Sequence, residues 1–141
     1  MTEIKRSIVI AAPVEKVWAQ IHPKNWTRLF NFVKEVRGYT NGQAGVGTTA
    51  KVIAGDPDTP LIQYDVEITE FVEKKKIAYR RYGGPLTGDA TMILKSLPNG
   101  TRLERTSHYE DDLSEETIKT LSAGMEKDNE KIKNLVEAAK P

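Results

Sequence analysis

Between Ile62 and Thr69 the side chains alternate without a break, with Ile62, Tyr64, Val66 and Ile68 set against Gln63, Asp65, Glu67 and Thr69. A period of two puts one set on each face of a β-strand, so this stretch predicts a half-buried strand over residues 61–71. Runs rich in β-branched and aromatic residues predict further strands at 3–10, 33–39, 48–54, 76–82, 88–96 and 101–109. The breakers between the later runs are Asn41-Gly42, Asp56-Pro57, Glu73-Lys74, Gly83-Gly84-Pro85 and Pro98-Asn99-Gly100. No helical period separates these runs. Spacing this short suits antiparallel hairpins, because a parallel return needs a crossover of a dozen or more residues.

The period changes after the first strand. Pro13 suits a first helical turn, where its missing N–H costs nothing. Val14, Val17, Trp18 and Ile21 then form one apolar face of a short helix that stops near His22-Pro23, since a residue before proline avoids the helical region. A second short helix is expected over 25–30, burying Trp26, Leu29 and Phe30. Near the C-terminal end Ile118, Leu121, Met125, Ile132, Val136 and Ala139 share one helical stripe. Asp112 and Ser114 both offer N-caps, and Asp112 with Glu115 has capping-box spacing. A helix over 114–139 is about 39 Å long. Strands of ten residues span about 33 Å, so one helix can cross the whole sheet.

Composition narrows the function classes. The 141 residues show no repeat, linker or low-complexity segment and read as one domain over 1–141. With no cysteine, disulfides, thiolate catalysis and cysteine-based metal sites are excluded. The two histidines, His22 and His108, fit no metal-binding spacing, so neither a metal nor another cofactor is expected. Charge is balanced at 21 basic against 20 acidic residues, without the basic excess of a nucleic-acid binder. Lys74-Lys75-Lys76 and Arg80-Arg81 read as a solvated turn and strand edge. The apolar run from Ile8 to Ala12 is too short for a signal sequence or a membrane span, which points to a cytoplasmic protein with no stable membrane insertion. The glycines between Asn41 and Gly47 lack the Gly-Lys-Ser/Thr ending of a phosphate loop and precede a strand, not a helix, so nucleotide binding is rejected there.

Four segments resemble a known superfamily. The run Ile8-Val9-Ile10-Ala11-Ala12-Pro13-Val14-Glu15-Lys16-Val17-Trp18 is similar to the opening strand, alanine-proline turn and first helix of the START, birch-pollen-allergen and polyketide-cyclase proteins. Trp26 matches the aromatic residue of their second short helix. Gly42-Gln43-Ala44-Gly45-Val46-Gly47-Thr48 resembles their glycine-rich turn, and Gly100-Thr101-Arg102-Leu103-Glu104 the start of their last strand. The likeness extends over nearly the whole chain and is nearest to the polyketide cyclase/dehydrase and lipid-transport-like branch. It implies an α+β helix-grip fold: a bent antiparallel sheet of six to seven strands wrapped around a long C-terminal α-helix, with two short helices after strand one. It also implies a cavity for a small hydrophobic or amphipathic molecule.

Candidate ligand-binding residues follow from pattern and resemblance together. Trp26, Phe30, Tyr64, Tyr79, Met92 and Met125 are an aromatic and apolar set able to line a pocket or to fill a core. Asn129 and Ser122 lie within about 40° of the helical stripe that carries Met125 and Ile132, where a polar group meets either a cavity or the stripe's exposed edge. Gly124 interrupts that helix at a cost of ~1 kcal/mol against alanine. On the last strand Leu103, Arg105, Ser107 and Tyr109 share one face. If Leu103 points inward, Arg105 and Ser107 do too, and Arg105 becomes an anchor for an acidic head group. The competing reading pairs Arg105 with Glu67 or Glu110 at the surface. His108, beside Glu110 and Asp111, is either an acid–base group or a surface residue.

No side-chain pattern identifies a catalytic centre. The leading expectation is a binding or carrier protein gated by the helix at 25–32 and the loops at 56–60 and 83–86. The alternative is a cyclase or dehydrase in which Arg105, Tyr79, Asn129 or His108 positions and protonates a polyketide-like or aromatic substrate. A third reading, a chaperone-cofactor-like interaction module, requires a filled interior and a large exposed apolar patch.

Overall fold

A computed structural model of the chain describes residues 1–30, 33–37, 45–55 and 61–138. The elements run β1 (Thr2–Ile10), α1 (Val14–Ile21), a 3₁₀ turn (Pro23–Asn25), α2 (Trp26–Leu29), β2 (Val33–Arg37), β3 (Thr49–Ala54), β4 (Ile62–Val72), β5 (Lys76–Tyr82), β6 (Gly88–Leu97), β7 (Gly100–Tyr109) and α3 (Glu115–Ala138). Every strand pairs antiparallel in one sheet of order β1-β7-β6-β5-β4-β3-β2. This is the helix-grip arrangement. The expected end of the second strand at 38–39, the Asn41-Gly42 and Asp56-Pro57 turns and Ala139 lie outside the described residues.

Alternation sets the inner face of the sheet. On β7 it is Thr101, Leu103, Arg105, Ser107 and Tyr109 that are buried, and on β6 Gly88, Ala90, Met92 and Leu94. β4 keeps its alternation as far as Ile68, where a bulge between Ile68 and Glu70 inserts one residue. The bulge changes which side chains point inward beyond it. Phe71 thereby meets Trp18 of α1, ring centres 5.2 Å apart.

Several expected boundaries are corrected. The second helix is not a continuous 25–30 element: Pro23–Asn25 forms a 3₁₀ turn and only Trp26–Leu29 is α-helical. Asn25 is occupied elsewhere, its amide donating to the carbonyls of Ala19 and Gln20 at the end of α1. The capping box at Asp112 is not formed. Ser114 caps α3 by accepting from the Thr117 N–H at 3.1 Å, while Asp112 pairs with the amino group of Met1. A hydroxyl one residue before the helix reaches the third N–H, whereas Asp112 stands two residues too early.

The α3 helix makes its close backbone contacts with β1, α1 and α2, to one side of the sheet. The main apolar cluster joins Val17, Ile21, Trp26 and Leu29 to Ile10, Met92, Leu103, Ile132 and Val136. A second, smaller cluster centres on Ile4, Tyr109 and Met125. No helix among the described residues is long and apolar enough to cross a membrane.

The C-terminal turn of α3 is tied back by Glu137. Its carboxylate accepts the Ala11 N–H at 2.8 Å and pairs with Lys133, whose ammonium also reaches the Val9 carbonyl at 3.4 Å. The hydrogen bond from Lys133 and then that from Ala11 hold the Glu137 carboxyl below its ordinary range. A depressed folded pKa stabilises the protein above the unfolded value of about 4.3, and that contribution disappears as pH falls through the folded value. Glu137→Gln is therefore expected to reduce the fall in Tm between pH 7 and pH 3, measured by thermal unfolding. An unchanged fall would show that the tie contributes nothing to acid sensitivity.

Candidate ligand cavity

Between α3 and the sheet lies a partly open cavity of about 440 Å³, within the range of small-molecule sites. Its apolar wall comes from Phe30, Val33, Ala54, Ile62 and Leu86, with Leu121 and Met125 on the helix. Tyr64, Tyr79, Tyr109, Ser107, Thr120, Arg81, Arg105 and Asp128 supply polar groups. Leu121, Gly124, Met125 and Asp128 stand at helical spacings of three, one and three, so one face of α3 forms the roof. Gly124 carries no side chain on that face.

The two arginines are held differently. Arg105 rises from β7, with its guanidinium carbon 4.7 Å from the centre of the Phe30 ring. Its Nη1 donates to Asn129 Oδ1 at 3.3 Å and stands 3.6 Å from Asp128 Oδ2. Arg105 and Asp128 are both more than nine-tenths buried. Arg81 extends from β5 over the Tyr109 ring at 4.6 Å, with Tyr79 at 6.0 Å. Its Nη2 donates to the His108 carbonyl at 3.1 Å. Gly88 is opposite Arg81 in register, with φ at +139°, and a Cβ there would stand 1.9 Å from that same His108 oxygen. Only glycine permits this approach of β6 to β7. Burial, followed by the neighbouring Tyr79, keeps the Tyr64 phenol well above its ordinary range, although Arg81 pulls the other way. Tyr64 is therefore a neutral hydrogen-bond donor at physiological pH.

Six of the expected residues line this cavity: Phe30, Tyr64, Tyr79, Arg105, Ser107 and Met125. Four do not. Trp26 sits behind the wall, its indole N–H on the Ile21 carbonyl and its ring 5.7 Å from Phe30 and 5.0 Å from Tyr79. Met92 and Ile132 are fully buried core residues. Asn129, 2% exposed, holds Arg105 instead of facing the cavity. Ser122 is also buried but outside the wall.

Two expectations are corrected, and of the two readings of His108 the surface one holds. The surface pairing of Arg105 with Glu67 or Glu110 is not formed: Glu67 binds Arg80 and Glu110 accepts from Thr87. Alternation turns Arg105 inward with Leu103. His108 lies on the outer face of β7, 3.7 Å from Glu3, and cannot reach the cavity. Arg81 is not a solvated strand-edge residue but 7% exposed. Ile77, Tyr79 and Arg81 alternate inward while Arg80 faces outward, a pattern visible in the sequence once the basic run is split by face. Asp128 carried a similar signal, four residues before Ile132 and seven after Leu121 in the middle of the apolar stripe.

The chain matches the model of the family of polyketide cyclase/dehydrase and lipid-transport proteins over residues 1–137, and it belongs to that family. No curated protein matches it. Among solved structures it is similar to CV1439 of Chromobacterium violaceum, with a TM-score of 0.81 at 17% identity over 99% of this chain and 100% of that one. It is similar to Ara h 8.0201, with a TM-score of 0.77 at 15% identity over 98% and 99% of the two chains. It also resembles DynU16, from the dynemicin biosynthetic locus, with a TM-score of 0.75 at 17% identity. That match covers 99% of this chain, which spans about half of DynU16, at 48%. At these identities the likeness is one of fold.

Replacing Asp128 by leucine leaves the Arg105 charge buried without its acid, which is expected to cost about 3 kcal/mol. The double variant Arg105→Met/Asp128→Leu is expected to recover most of that loss. Urea unfolding of the four proteins measures the coupling, and strictly additive losses would show that the pair is not one unit.

Proposed function

We propose that this member of the cyclase/dehydrase and lipid-transport family is a cytoplasmic binding or carrier protein for one small amphipathic molecule. The observation that carries the reading is the partly open cavity of about 440 Å³, walled by aromatic and aliphatic side chains with a few polar groups among them. Apolar walls of this kind hold a ligand by removing its surface from water, at roughly 0.8 kcal/mol per buried methylene. The polar groups then fix its orientation. Phe30 at the end of α2 and Leu86 in the turn before β6 form the gate in this reading, since both are wall residues carried by short connecting segments.

The enzymatic alternative loses two of its four groups, because His108 faces away and Asn129 is engaged with Arg105. Asp128, the cavity's carboxylate, is also engaged with Arg105. The interaction-module reading needs a filled interior, and the cavity weighs against it. Among the described residues the exposed large hydrophobic side chains are Met1, Val9, Val46, Leu61 and Val72, each in a different segment of the chain.

Gly124 provides the test. Leucine there adds a side chain to the face of α3 that roofs the cavity while removing a helix-interior glycine, worth about 1 kcal/mol. The neutral dye phenylnaphthylamine is expected to bind the wild type with enhanced fluorescence. Gly124→Leu is expected to weaken it about tenfold or more, a change of about 1.4 kcal/mol, without lowering Tm. Equal binding by both proteins would place the site elsewhere.

A further inference from the structure

We propose that the ligand of this cavity carries a single oxyanion head and that Arg81 is the residue that receives it. The inference rests on the cavity being a binding site. Among the described residues the wall contains two guanidinium groups and one carboxylate, Arg81 and Arg105 against Asp128, a formal excess of one positive charge. That excess belongs to Arg81. Arg105 has Asp128 and the Asn129 amide oxygen against it. Arg81 has one hydrogen bond to a neutral carbonyl, and its Nε is sealed from solvent with no acceptor among the described residues.

A buried guanidinium in this state costs desolvation that one carbonyl does not recover. The surrounding geometry keeps it there nonetheless. Tyr109 supports one face of the plane, and the His108 carbonyl, backed by Gly88, fixes the Nη2 end. The remaining donors of a rigid fork match the two oxygens of a carboxylate or another oxyanion. The phenols of Tyr64 and Tyr79 are further wall donors on the neighbouring positions of β4 and β5. Leu121 and Met125 on α3 face the same space with apolar surface, which suits the body of an amphipath. A single under-partnered guanidinium among the described wall residues favours a ligand with one anionic head over a neutral lipid.

Two dyes that share one ring system separate this inference from the cavity reading. Anilinonaphthalene sulfonate is phenylnaphthylamine with one added sulfonate. The wild type is expected to bind the sulfonate about tenfold or more tightly than the neutral dye. Arg81→Met is expected to abolish that preference, bringing the ratio of the two affinities to about one. Arg81→Lys is expected to retain part of it, because the charge survives without the fork. Equal binding of the two dyes to the wild type, or full sulfonate affinity in Arg81→Met, overturns the role of Arg81 and leaves the cavity reading intact. Binding of neither dye overturns both. The wild-type ratio needs no variant, so the inference stays testable even if Arg81→Met does not fold.

Discussion

Over the cavity the gap between helix and sheet is bridged by Arg105 of β7, which reaches up to Asp128 and Asn129 of α3. The apolar packing of α3 is concentrated towards β1, α1 and α2, where Ile132 and Val136 are buried. Over the middle of the sheet a long side chain acts as a strut. Short aliphatic residues there would let the helix settle onto the strands. Arginine reaches across and has a partner at the far end, so its charge is met inside the protein. The Phe30 ring beneath the guanidinium adds a cation–π contact and keeps the side chain from folding flat.

Around that strut the interior divides. One apolar cluster contains the short helices and the centre of the sheet, and the other contains Ile4, Tyr109 and Met125. The polar groups of the cavity wall lie among residues of both. A core built for stability alone would have no reason to keep two guanidinium groups and three phenols in this region. Arg81 in particular is buried with one hydrogen bond to a neutral carbonyl. Buried, under-partnered groups of this kind are where function and stability compete.

Much of the fold was legible because strand and helix periods differ so plainly. Ile62 to Thr69 alternates, the stripe from Ile118 to Val136 repeats at helical spacing, and glycine or proline marks the hairpins. The inward face of β7 was readable only conditionally, since alternation groups Arg105 with Leu103 but does not say which group is inside. Arg81 was obscured by its neighbour: a two-residue basic run looks like surface until the strand period assigns its members to opposite faces. Asp128 was obscured by its chemistry, because a charged residue in an apolar stripe reads as a defect until its partner on a distant strand is known. Trp26, Met92 and Ile132 show the reverse problem. Their hydrophobicity places them inside, yet core and cavity wall demand the same residue types, and only three-dimensional packing separates them.

The pairing of β1 with β7 joins Thr2 to Tyr109 and Ile10 to Thr101, so the sheet closes between the two most distant strands of the sequence. Such contacts bring no reward until a long loop has been closed, which raises contact order and slows folding. From β2 to β7 each strand pairs with its sequence neighbour in a simple succession of hairpins, while β1 must wait for β7. During synthesis, β1 is made first and stays without a neighbour until the last hairpin has emerged. The floor strand that carries Arg105 and Ser107, and the helix that roofs the cavity, are also the last parts made. The cavity therefore takes shape only after β7 and α3 have been made, and a nascent chain that lacks them has neither its floor nor its roof.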